Sequence, residues 1–252
     1  QLFQMKHLNV FFRQIYSTNI CIKSLFWRLF VMNILMLRHS AGFEHSYLPD
    51  AEVAFKQIGK EQKWNVETTH DVKRLTSEKL STLDLIVFAT TGNLPLTNDQ
   101  REAVIGFVRN GKGFMGVHNA TDTGYDWPEY GEMLGGYFNG HPWHQEVRVI
   151  VEDRDHPATC MLKEKFCVTD EIYTFKCWER DNTHVLMRID NDSVDLKKGN
   201  REDNDYALAW CHEYGKGRVM YTGLGHPDQL WHENWFQKHI LGGMSWALRL
   251  SH

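Results

Sequence analysis

The chain has 252 residues, 42% of them hydrophobic and 24% charged, ordinary values for a globular protein and ample for a sizeable core. Its net charge of −4 carries no basic surplus, and no Lys/Arg run exceeds Lys197-Lys198, which argues against a nucleic-acid partner. Five Cys with no CxxC argue against a disulfide framework and favour reduced, buried thiols in a cytoplasmic protein.

Residues 1–31 are apolar, aromatic and basic, without one acidic residue. Lys6, Arg13, Lys23 and Arg28 interrupt the apolar runs, so no membrane span is expected. The segment reads as an extension, poorly structured or loosely docked, with an organelle-targeting presequence as the alternative. The domain proper is expected over residues 32–252.

From Asn33 the pattern becomes regular. Asn33–Leu37 reads as a buried strand running into the polar loop Arg38–Gly42. Pro49 suits the first turn of a helix reaching about Lys63, with Val53, Phe55 and Ile58 as buried positions. A second strand is expected at Val66–Thr69, a helical turn at Thr76–Thr82 and a third strand at Leu83–Phe88. Thr97 is an N-cap candidate for a helix over Asn98–Asn110 that buries Ala103, Val104, Phe107 and Val108. Gly111 is placed to end that helix, and Gly113–Val117 is the fourth strand. After Pro142 the pattern turns β-rich. Strands are expected at Val147–Val151, Cys167–Tyr173, Thr183–Ile189, Tyr206–Cys211 and Gly217–Thr222, with a glycine turn over Tyr214–Gly217 joining the last two. A helix over about Glu233–Leu248 closes the chain.

Strands alternating with helices imply an α/β protein with a parallel sheet. Ligands of such sheets bind beyond the carboxyl ends of the strands. That rule selects the loops 38–45, 89–95, 118–127 and 223–229, and within them His39, His45, Asn93, His118, Asp122 and His226. Gly116-Val-His-Asn-Ala120 stands where related hydrolytic folds place a nucleophile elbow, but its centre is His118, so no hydroxyl or thiol is presented. His141 and His144 flank Pro142 and Trp143, and with His212 they are candidate ligands for a divalent metal, the one cofactor these residues suggest. Trp127 and Trp143 offer flat faces of the kind sugar rings cover. Strand alternation puts Glu171 and Tyr173 on one face, where the carboxylate could do acid/base work.

The stretches MLRHSAGFEH, FATTG, GVHNATDTGYDWPEYGEMLGGYFNGHPWHQEVRVIVEDRDHPAT, DEIY, AWCHEYGKGRVMYTGLGH and HILGGMSWAL, in that order between Asn33 and Leu248, closely resemble the trehalose-utilisation, or ThuA-like, family. The resemblance implies a flavodoxin-like three-layer (αβα) fold related to class I glutamine amidotransferases, here with a β-rich flank after residue 142. It does not imply amidotransferase activity, because His118 looks equivalent to their nucleophilic Cys. What it implies is a small-molecule carbohydrate as partner, a disaccharide or keto-sugar of the trehalose type. The leading expectation is acid/base chemistry by His118 and Glu171 in a cleft lined by His39, His45, Asn93, Asp122, Trp127, Trp143, Tyr173 and His226. An enzyme of this kind would be an isomerase, lyase or hydrolase. The alternatives are a non-catalytic sugar-binding protein and a metal-dependent hydrolase using His141, His144 and His212. A homo-oligomer is compatible with either.

Overall fold

The computed structural model describes residues 31–250, and the reading of an N-terminal extension lies outside the described residues apart from Val31. One nine-stranded sheet organises the rest, in the order β2-β1-β3-β4-β11-β10-β9-β6-β7. The first half is parallel. It comprises β1 (Asn33–Leu37), β2 (Asn65–Thr69), β3 (Leu85–Phe88), β4 (Gly113–Val117) and β11 (Gly217–Thr222). The second half is antiparallel, through β6 (Trp143–Val151), β7 (Lys165–Ile172), β9 (His184–Ile189) and β10 (Ala207–Tyr214). The sheet is therefore mixed. β11 belongs to both halves, forming the expected hairpin with β10 while lying parallel to β4.

Helices cover both faces because the parallel strands are apolar on both sides. Ile34, Met36, Leu85, Val87, Met115 and Met220 point into one core, which α1 (Leu48–Gln62) and α5 (Asn234–Ala247) close. The alternate positions Leu35, Ile86, Phe88, Phe114 and Val219 build the other core with α2 (Ser77–Ser81), α3 (Asn98–Arg109) and α4 (Pro128–Leu134). In α1 the buried stripe is Ala51, Ala54, Phe55 and Ile58, and Val53 falls on the opposite side with 62% of its surface exposed. The expectation of a buried Val53 is thus corrected: the helical period carries it to solvent. Thr97 does cap α3. Its hydroxyl accepts from the Gln100 amide while the Gln100 side chain accepts from the Thr97 amide. Gly111 follows with φ +117°, a conformation that suits glycine. Cys211 is buried, but Cys160, Cys167 and Cys177 are exposed, which corrects the expectation of buried thiols for these three.

The feature that positions the site is a two-stranded ribbon. β6 pairs with β7 from Trp143 to Ile150, but with β9 only over Val149–Val151. The segment Trp143–Arg148 and its partner Cys167–Ile172 therefore project past the sheet as a hairpin-like arm. Asp170 ties this arm to the loop after β11. Its carboxylate accepts from the backbone N–H of Gly225 at 2.8 Å and of His226 at 3.1 Å, and also from Glu171 at 2.8 Å. The chain then continues into β8 (Phe175–Lys176), which pairs with β5 (Tyr137–Phe138).

Candidate functional site

The loops leaving the carboxyl ends of the parallel strands meet one another. Ser40 bridges Thr91 and Gly92 bridges Thr123, joining the loops after β1, β3 and β4. The elbow after β4 turns at His118, whose φ of +41° is sterically costly for a residue with a Cβ, about 1 kcal/mol or more. The turn is held by its neighbours: the Tyr221 hydroxyl donates to the His118 carbonyl at 2.7 Å, and a 3-10 turn follows over His118–Thr121. At Gly116 a Cβ would come within 2.8 Å of Leu134 and 3.1 Å of Ala120, so glycine lets the elbow pack closely.

Four side chains converge here. His45 comes from the loop after β1, His118 from the elbow, Glu171 from the ribbon and His226 from the loop after β11. One ligating atom from each lies within 4.8 Å of the corresponding atom of every other. His226 Nδ1 is 3.1 Å from Glu171 Oε2 and 3.3 Å from His118 Nε2, and His118 Nε2 is 3.5 Å from the same Glu171 oxygen. His118 is fully buried, while Glu171 and His45 are nearly so. The other Glu171 oxygen faces His141 Nδ1 at 3.4 Å.

The surroundings orient these rings. His118 Nδ1 lies 2.8 Å from the Gly223 carbonyl, an acceptor only, so Nδ1 carries a hydrogen; the neutral ring then points a bare Nε2 into the cluster, and the protonated ring donates from it. Asn119 bridges the Tyr47 hydroxyl at 2.6 Å and His45 Nδ1 at 3.2 Å. The Tyr173 hydroxyl lies 3.3 Å from His45 Nε2, and its ring packs 4.2 Å from that of His118. Burial pushes the Glu171 carboxyl upward, but hydrogen bonds and charge from His118 and His226 outweigh it and hold the group well below the usual carboxylate range. Burial, with His118 and His226 close by, lowers the His45 imidazole to about 3. The bond to Glu171 raises His226 despite partial burial. Burial also raises Asp122, which accepts from the Tyr125 hydroxyl at 2.6 Å.

The structure thus brings His45, His118, Glu171, Tyr173 and His226 together. His141 and His144 flank them: His144 is opposite Glu171 across the ribbon, and its ring is 5.4 Å from His226. Asp122 lies near enough to interact with the charges of His118 and His141, and the remaining residues expected at the site lie elsewhere. His39 bonds the His70 carbonyl at the sheet edge, and Asn93 is exposed on the loop after β3. Trp143 and Trp127 are core residues, 1% and 3% exposed; Trp143 donates to the Asp195 carbonyl and Trp127 stacks on Tyr130. His212 bonds the Met133 carbonyl at 2.9 Å and lines a separate cavity of about 570 Å³ with Gly135, Tyr137 and Cys177. Tyr47 and Asn119 were not read from the sequence, and Asp170, which opens the DEIY stretch, was not read as an anchor; Asn119 carried a signal as the polar neighbour of His118 at the elbow.

A shallow cavity of about 380 Å³ reaches the cluster past Phe43, Glu44, Ser46 and Pro49, with His45 and His226 at its floor. An imidazole-rich pocket over the strand ends of a three-layer α/β sheet, with histidine at the elbow, places the molecule among the amidotransferase-like folds that lack the thiol. Residues 33–247 match the ThuA family, described as trehalose utilisation, and the chain belongs to that family. A ThuA-like protein from Bacteroides uniformis is similar at 24% identity and a TM-score of 0.73, with 86% of this chain and 91% of that one covered. One from Parabacteroides merdae matches at 19% identity and a TM-score of 0.69, over 87% and 90%. PurLQS from Thermotoga maritima shares the fold at 16% identity and a TM-score of 0.54, over 86% and 98%. No curated protein matches the chain. No helix among the described residues is long and apolar enough to cross a membrane.

Proposed function

We propose that the chain is an enzyme of carbohydrate utilisation that takes a disaccharide or keto-sugar of the trehalose type into the cavity over the cluster. The observation that carries this reading is the meeting of a carboxylate and three imidazoles at the strand ends, closed on one side by the Tyr173 and Phe138 rings, 4.4 Å apart. A keto group acidifies the neighbouring C–H. A carboxylate and imidazoles held together are equipped to take that proton and either return it to another carbon, an isomerisation, or deliver it to a departing oxygen, an elimination. Glu171 is the base of this proposal, and His118 and His141 are the groups that pass the proton on. The family's description supports the sugar, and the elbow histidine supports chemistry without an acyl-enzyme.

The test is incubation of the purified chain with trehalose and with its 3-keto derivative, with products followed by NMR. Conversion of the keto-sugar is expected, and Glu171→Gln should lower kcat/KM at least about a hundredfold. If neither sugar changes, the enzyme reading fails for these substrates. Saturable binding without turnover would instead favour a sugar-binding protein on the same scaffold.

A further inference from the structure

We infer that His118 Nε2, His226 Nδ1 and Glu171 Oε2 form a tripod for one divalent first-row transition-metal ion, with His45 as its fourth corner. The geometry is the first argument. The three donor–donor separations are 3.1, 3.3 and 3.5 Å. A tetrahedral ion with bonds of about 2.0–2.1 Å requires donors about 3.3 Å apart. The tripod thus already has the edge lengths of one face of such a tetrahedron. One His45 ring nitrogen belongs to the same group, in which the ligating atoms all lie within 4.8 Å of one another.

Hydrogen accounting is the second argument. The ionised Glu171 oxygen only accepts, and in the neutral His118 ring Nε2 is bare because the one hydrogen is on Nδ1, facing the Gly223 carbonyl. His226 Nδ1 can supply one hydrogen, which leaves His118 Nε2 and Glu171 Oε2 facing each other as two acceptors. A shared cation satisfies all three atoms at once. The third argument is support. A backbone carbonyl fixes the outer nitrogen of His118, and the buried Asp170 holds the backbone of both Glu171 and His226. Asp170 is a positioning residue: its oxygens are occupied by N–H groups and do not reach into the cluster.

Imidazole with a single carboxylate suits zinc and its first-row neighbours rather than calcium or magnesium, which take oxygen sets. With the three tripod donors alone a tetrahedral ion keeps its fourth position for a ligand entering from the cavity lined by His45 and His226; with His45 bound, a ligand enters only by expansion to five-coordination. This ligand set differs from the expected His141, His144 and His212. The first two remain beside the site, and His212 lies apart from it.

The inference does not depend on the sugar, and its test does not use one. The full chain is stripped with chelator, dialysed against zinc and assayed by elemental analysis. The cobalt-loaded protein is examined for the visible absorption of tetrahedral Co(II). One zinc per chain is expected, with a rise in Tm on loading. Glu171→Gln and His226→Ala should each weaken zinc binding at least tenfold and abolish the cobalt spectrum, while His212→Ala retains both. Circular dichroism of the metal-free variants confirms that they fold. Failure of the wild-type chain to take up stoichiometric zinc, or undiminished zinc in both tripod variants, overturns the inference. Stoichiometric zinc with no sugar conversion upholds the metal site and removes the sugar reading. Undiminished keto-sugar conversion by the zinc-free chain, with no uptake when zinc is returned, does the reverse. In the loaded protein Glu171 Oε2 and His118 Nε2 are ligands, so the proton transfers of the proposed reaction would run through the outer Glu171 oxygen and His141, 3.4 Å apart.

Discussion

The parallel and antiparallel halves of the sheet contribute to the site in different ways. The parallel half delivers His45, His118 and His226 from three loops at the ends of neighbouring or near-neighbouring strands, as its topology dictates. The antiparallel half delivers Glu171 from a strand at the far edge of the sheet, and only because the ribbon leaves the sheet and returns over the strand ends. One half is a scaffold with a generic binding position. The other supplies the one carboxylate of the four-residue cluster.

The largest expected effect comes from cutting the tie between the halves. Asp170→Asn removes one oxygen acceptor and the charge from a fully buried carboxylate that holds three N–H groups. Urea unfolding should show a loss of about 4 kcal/mol, from weakened charge-assisted bonds and a stranded donor. Unchanged stability would mean that the ribbon is anchored by something else. A second seam is His239 on α5, which is fully buried and bonds the Ala158 carbonyl between β6 and β7. Burial lowers its imidazole from 6.5 to about 4. Above pH 6.5 folded and unfolded chains both carry it neutral. Below that, the unfolded chain binds a proton that the folded one refuses, so stability is lost as pH falls from 6.5 towards 4, by roughly 3 kcal/mol at the bottom of the window. His156, also lowered to about 4 by burial, acts with the same sign. His239→Asn keeps a donor for Ala158 and should flatten the fall of Tm between pH 7 and 4.5; an unchanged slope would assign the acid sensitivity elsewhere. Within the parallel half, Thr97→Ala should cost about 1 kcal/mol through loss of the α3 cap and leave sugar conversion untouched. Smallest of all, Val53→Lys should move stability by less than about 0.5 kcal/mol, since the side chain is exposed.

The parallel half was legible because its rules are local. Apolar runs of four or five residues, a capping Thr and a glycine after a helix each declare themselves within a few positions. His45, His118 and His226 followed from the strand-end rule, and Glu171 with Tyr173 from strand alternation. The assembly of these residues was not legible, because nothing near Glu171 states that the ribbon bends over the parallel strands. His212 shows the limit from the other side. It belongs to a strand, as Glu171 does, but its side chain turns towards α4 and the Met133 carbonyl rather than towards the strand ends. Trp127 and Trp143 mark a further limit, since a tryptophan that fills a core and one that covers a sugar share the same letter and the same flanking pattern.

The ribbon also bears on the order in which the molecule forms. Asp170 meets Gly225 across 55 residues of chain, and His118 meets the Gly223 carbonyl across 105. Contacts of such separation are made late, after helices and nearest-neighbour strands have condensed. A ribosome-bound intermediate lacking the loop that bears His226 carries the elbow and the carboxylate but not the centre they belong to. Nascent chains therefore complete the cluster only after that loop has emerged.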